Sequence, residues 1–156
     1  LESKRQRIGK LFIALIAASS LYSTLNRPVE YVSGYNQVAL KIAELAPESS
    51  NVLFSGYRDG SFIFAMRAVA DRDDMSTVRS DKLLLQIASR RELGVEEKDY
   101  TKDEIAKMIN ELAINYVVAQ PDFWTDLNQM ALFQELLEGE SFEEVERYQL
   151  LRNYNS

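Results

Sequence analysis

The sequence has no cysteine. Disulfides, thiolate zinc sites, iron–sulfur clusters and cysteine nucleophiles are therefore excluded. It also has no histidine, which removes the commonest general base, the commonest zinc ligand and every Ser-His-Asp triad. Carboxylates are plentiful, at Glu96, Glu97, Asp99, Asp103 and Glu104 and again from Glu135 to Glu146. Neither set has the alternating oxygen ligands and central glycine of a calcium loop, so both read as solvated acidic faces, and no metal or cofactor is expected. There is no internal repeat and no low-complexity tract. What remains is 156 residues, 46% hydrophobic and 27% charged, the make-up of one packed globular domain with no evident catalytic chemistry of its own.

Charge is uneven along the chain. The net charge is −6. Lys4, Arg5, Arg7 and Lys10 against Glu2 give the first ten residues a net +3, leaving −9 on the other 146. An acidic body of this kind excludes a nucleic-acid partner, because phosphate contacts need clustered Lys and Arg. The basic decapeptide runs into Leu11–Leu25, which carries no charge; counted from Ile8 the apolar stretch is 18 residues interrupted by Lys10. A spanning helix needs about 20 mostly apolar residues, and a lysine near the end can snorkel to the interface. Residues 8–25 are thus expected to be the membrane partner of the chain, the end of the last transmembrane segment of a longer protein. A buried or amphipathic helix and a signal peptide are the competing readings, the latter weakened by a first residue that is Leu rather than Met. With the basic flank inside, residues 26–156 lie on the extracytoplasmic side.

Beyond Asn26-Arg27-Pro28, a helix break, the chain reads as a separate domain, 26–156. Val38, Ile42 and Leu45 fall on one face of a helix over Tyr35–Ala46. Val52–Ser55 is a short apolar run leaving a turn, expected as a buried strand. Gly56–Gly60 is a loop in which Asp59 or Ser61 is placed to cap a helix over Ser61–Ala70; alanine and methionine favour helix there over strand. Asp71–Asp74 reads as a polar turn and Ser76–Arg79 as a second strand. Asp81–Arg90 is apolar and of undecided type, and Gly94–Tyr100 is a charged loop. Thr101 with Glu104 makes a capping box before a helix carrying Ile105, Met108, Ile109 and Leu112. Tyr116–Ala119 is a strand stopped by Pro121, and Asp126–Glu138 a helix with Gly139 as its C-cap. Partial alternation over Phe142–Leu151 suggests an edge strand. This order predicts a small three-layer α/β domain with a mostly parallel sheet of about four strands.

Open parallel sheets take ligands at the carboxyl ends of their strands. The polar residues nearest that edge are Arg58, Asp59, Arg67, Arg79, Asp81 and Lys82. Arg79 and Lys82 suit a phosphate or carboxylate; the alternative is an internal ion-pair set in which Arg67 or Arg79 meets Asp59 or Asp81. The Gly56-Tyr-Arg-Asp-Gly60 turn lacks both G-x-G-x-x-G spacing and a Walker Gly-Lys-Ser, which argues against a nucleotide. Tyr116, Phe123 and Trp124 around Pro121 make either an aromatic platform for a sugar ring or a plug over the core.

The run Asn51-Val-Leu-Phe-Ser-Gly56-Tyr-Arg-Asp-Gly60-Ser-Phe-Ile-Phe-Ala-Met-Arg67, then Thr77-Val-Arg-Ser-Asp-Lys82-Leu-Leu, then Ile114-Asn-Tyr-Val-Val118, resembles the C-terminal extracytoplasmic domain of bacterial polytopic membrane glycosyltransferases of the dolichyl-phosphate-mannose protein mannosyltransferase and aminoarabinose-transferase-like superfamily. The resemblance covers residues 26–150, with 8–25 as the final membrane helix. It implies transfer of a sugar from a polyprenyl-phosphate donor, in the bacterial inner or plasma membrane, by a catalytic aspartate in an early inter-helix loop that this chain does not contain. No catalytic residue is carried over. The implied role is accessory, with the rest of the transferase as partner and a lipid-linked sugar or its acceptor as ligand. The alternatives are a membrane-anchored α/β interaction domain without transferase activity and a small nucleotide- or sugar-binding domain.

Overall fold

A computed structural model describes residues 4–26, 32–88 and 91–152. The chain divides into two compact units, one bearing the N-terminal helix and one spanning Val32–Arg152. The first contains helix α1, Lys4–Asn26. Its described apolar side chains stand in the open on every side: Leu11, Phe12, Ile13, Leu15, Ile16, Leu21, Tyr22 and Leu25 are between 54% and 74% exposed. The second half is diluted by Ser19, Ser20, Ser23 and Thr24. Among the described residues no helix is long and apolar enough to cross a membrane.

The second unit is α/β, with a parallel sheet between two helical layers. Its elements are β1 (Val32–Ser33), α2 (Tyr35–Leu45), β2 (Asn51–Ser55), α3 (Asp59–Phe64), β3 (Ser76–Arg79), α4 (Ser80–Leu84), β4 (Leu85–Ile87), β5 (Val95–Glu97), α5 (Lys102–Glu111), β6 (Ile114–Ala119), α6 (Asn128–Leu137) and β7 (Leu151–Arg152). Three strands form the main sheet in the order β3-β2-β6, all parallel. The central β2 is buried on both faces, the reason Val52-Leu53-Phe54 reads as a continuous apolar run. Alternation sends Val52 and Phe54 to one side, where they pack with Tyr35, Ala39 and Ile42 of α2 and with Phe62, Ala65 and Met66. Phe54 stacks on Phe62 at 4.7 Å, with Tyr35 edge-on to both. Leu53 faces the other way, into Leu84, Ile105, Ile109, Met130 and Phe133.

The helix expected over Ser61–Ala70 begins at Asp59, and neither Asp59 nor Ser61 caps it. Arg58 precedes it in a left-handed conformation (φ 59°, ψ 48°), which turns the chain sharply off β2. From Ala65 the helix widens to i→i+5 bonding, as in Ala70 N–H to the Ala65 carbonyl at 3.0 Å. The undecided segment after Asp81 is one helical turn and then a strand. That strand, β4, pairs antiparallel with β5, which lies inside the charged stretch expected to be a loop. Over Phe142–Leu151 the expected edge strand reduces to β7, which pairs antiparallel with β1 and not with the main sheet. The capping box stands as expected: Thr101 Oγ1 accepts from Glu104 N–H at 3.3 Å, and Thr101 N–H donates to Glu104 Oε2 at 2.8 Å. Gly139 follows α6, its N–H donating to the Leu136 carbonyl at 3.1 Å.

A clamp outside the main sheet went unread in the polar turn Asp71–Asp74. Arg72 donates to the carbonyls of Ala43 (3.2 Å), Ala46 (3.0 Å) and Pro47 (2.7 Å), the open C-terminal end of α2. Asp74 holds the same guanidinium at 2.8 and 3.0 Å and accepts from Ser49 N–H at 2.7 Å.

Candidate functional site

The carboxyl ends of β2, β3 and β6 lie side by side, and the three loops leaving them form the candidate site. From β2 comes Gly56–Asp59, from β3 Arg79–Asp81, and from β6 Gln120–Trp124.

The parallel register opposes Phe54 to Arg79, so the loop after β2 passes the end of β3. There Arg79 binds two carboxylates. Its Nε and Nη2 donate to Asp81 Oδ1 and Oδ2 at 3.0 and 2.6 Å, a bidentate fork. Its Nη1 donates to Asp59 Oδ2 at 2.8 Å. The Asp81 side chain is 3% exposed, whereas those of Arg79 and Asp59 are 35% and 33% exposed. The hydrogen bond to Asp81 raises the pKa of Arg79 above its ordinary value, against an opposing effect of burial. The trio carries a net −1, and an anion approaching Arg79 meets two carboxylates already on its guanidinium. Asp59, Arg79 and Asp81 therefore come together, in the ion-pair arrangement. Arg58 sits at the left-handed turn beside Asp59. Lys82 on α4 and Arg67 on the widened turn after α3 are exposed and make no ion pair among the described residues.

The turn after β2 is closed by a residue that sequence reasoning missed. Gln120 N–H donates to the Ser55 carbonyl at 2.8 Å, and Gln120 Oε1 accepts from Tyr57 N–H at 2.5 Å. A Cβ on Gly56 would stand 2.7 Å from Gln120 Oε1, so a side chain there would displace the glutamine amide. The glycine thus admits a side-chain amide where a dinucleotide fold would admit a pyrophosphate. A neutral glutamine beside a proline carries no charge pattern by which to find it. Tyr35 Oη also ties this loop down, donating to the Tyr57 carbonyl at 2.5 Å.

The aromatic residues after β6 make a plug. Phe123 is buried, stacks on Trp124 at 4.9 Å and meets Tyr57 edge-on at 5.0 Å. The Arg91 guanidinium lies 5.1 Å from the Trp124 ring and pairs with Asp126. A ring already engaged by Phe123 and Arg91 offers little open face to a sugar. Tyr116 belongs elsewhere: its hydroxyl donates to the Leu45 carbonyl at 2.9 Å, and it packs on the α2 side of the sheet. Beneath the loops, the hydroxyls of Ser55 and Ser80 are buried and have no hydrogen-bond partner among the described residues. Neither is bonded to a base that would make it a nucleophile. Among the described residues no three acidic side chains gather into a metal-holding group.

No protein-family model, no curated protein and no solved structure matches the chain.

Proposed function

We propose that this chain is the final part of a polytopic membrane glycosyltransferase that uses a polyprenyl-phosphate sugar donor. In this reading α1 is the last membrane helix, and Val32–Arg152 is an extracytoplasmic domain that covers the membrane site and helps position the donor or its acceptor. It does not transfer sugar alone. The observation that carries the reading is the uncharged stretch Leu11–Leu25 of α1, whose large apolar side chains are exposed. Such a helix needs lipid or other helices around it. Its basic N-terminal flank suits the cytoplasmic face. Ala17, Ala18, Ser19, Ser20 and Ser23 supply the small residues that let membrane helices approach one another, which fits a member of a bundle better than a lone anchor. The sequence resemblance over 26–150 supplies the reaction class, and the sheet-edge residues Arg58, Asp59, Arg67, Arg79, Asp81 and Lys82 are the surface on which donor or acceptor contact would fall.

Two experiments test this. Expressed in bacteria, the chain is expected to stay with the membrane through alkaline carbonate extraction, with 32–152 open to protease from the outside only. Deleting 32–152 from the intact transferase is expected to lower transfer or change acceptor choice. Release by carbonate refutes the membrane helix; unchanged transfer and unchanged acceptor choice refute the accessory role and leave an anchored interaction domain.

A further inference from the structure

We infer that Ser55 and Ser80 together hold one buried water molecule at the carboxyl edge of the sheet. Both residues are fully buried, and both hydroxyls stand without a partner. They follow directly on the paired residues Phe54 and Arg79 of neighbouring parallel strands, Ser55 as the last residue of β2 and Ser80 as the first of α4. Strand alternation puts Ser55 on the side of Leu53, which packs in the core formed with α4, α5 and α6. Ser80 opens the helix whose Leu84 lies in that same core. Neighbouring strands lie about 4.8 Å apart, a span that one oxygen bridges with a hydrogen bond to each side.

The chemistry selects water. Two neutral hydroxyls offer donors and acceptors but no charge, so neither a cation nor an anion would be compensated there. The charged residues flanking Ser80, Arg79 and Asp81, already bind each other in a bidentate fork. An apolar occupant would leave both hydroxyls unsatisfied, which buried polar groups rarely are. Water donates and accepts, and buried waters characteristically serve such groups.

The test is a cycle of Ser55→Ala, Ser80→Ala and the double variant in the full chain, read by urea unfolding, beside an X-ray structure of the unaltered chain. A shared water predicts that each single variant lowers the unfolding midpoint. The double variant then falls no further than the worse single one, since either change already breaks the bridge. The structure is expected to show an oxygen peak within hydrogen-bond distance of both Oγ atoms. Single variants of unchanged or raised midpoint would mean that the hydroxyls are merely orphaned and would overturn the inference. Additive losses, or a map without the peak, would overturn it equally.

Discussion

Replacing Arg79 by methionine is the most informative perturbation of the sheet edge. Methionine keeps the straight chain and removes the charge. What it leaves behind is the Asp81 carboxylate, 3% exposed and stripped of both hydrogen bonds. Removing one partner of a fully buried pair costs about 3–5 kcal/mol. Because Arg79 is itself 35% exposed, water can follow into its place, and the loss falls to roughly 2–3 kcal/mol. With a urea slope of about 2 kcal/mol/M, the midpoint drops by roughly 1.2 M. Asp81→Asn is milder. It keeps the volume and one acceptor, and Arg79 retains Asp59 and solvent, so the loss is about 1 kcal/mol. Asp59→Asn touches the more exposed of the two carboxylates and costs about 0.5 kcal/mol, fading with salt. Arg79→Met combined with Asp81→Leu is expected to recover most of the loss, because no buried charge is then left alone. Trp124 fluorescence and far-ultraviolet circular dichroism, followed together through urea, give the order. A neutral Arg79→Met, or an Asp59→Asn that costs more than Arg79→Met, would refute the claim that Arg79 serves the buried carboxylate first.

Gly56→Ala forces Gln120 off Tyr57 N–H and is expected to cost about 1–2 kcal/mol; in a Gln120→Ala background the same change should cost much less, which a double-mutant cycle measures. Phe133→Ala opens a cavity in the core on the α4–α6 side and should cost roughly 3–5 kcal/mol in the same unfolding assay. Asp74 is held at a pKa of about 2, below its ordinary 3.8, first by the Arg72 hydrogen bond and then by Ser49 N–H. A carboxyl lowered on folding lends stability above its unfolded pKa and loses it as pH falls through the folded one. Acid titration should therefore weaken the protein between about pH 4 and pH 2, and Asp74→Asn should flatten that limb. Ile13→Asp puts a charge in the apolar stretch of α1 and is expected to release the chain from membranes in a carbonate extraction, while the circular dichroism of the α/β unit stays unchanged.

Local signals carried the sequence reading wherever neighbours in sequence decide the structure. Thr101 and Glu104 are three apart and cap the same helix end, and Val52-Leu53-Phe54 needs nothing but burial on both faces to be a central strand. The misses share a cause, which is that their partners are remote. Val95-Glu96-Glu97 looks like a loop because it is charged, yet it pairs with β4, and Glu97 reaches across to accept from Gln129 N–H at 2.6 Å in the first turn of α6. Asp71-Arg72-Asp73-Asp74 looks like any polar turn, and nothing in those four letters points to the carbonyls of Ala43, Ala46 and Pro47. At the sheet edge, Asp59, Arg79 and Asp81 were found because charged residues at strand ends stand out. Lys82 and Arg67 stood out equally but lie outside that ion-pair set, since a letter's charge says nothing of which partner the fold brings to it.

The short β1–β7 ladder has a practical consequence. Val32 lies opposite Arg152 and Ser33 opposite Leu151, so the two gateposts of the α/β unit stand about 5 Å apart. A module whose entrance and exit adjoin can be lifted out and replaced by two or three glycines without pulling its surroundings out of place, or spliced into a host loop as a self-closing insert. It can equally be joined end to end and reopened at a surface turn.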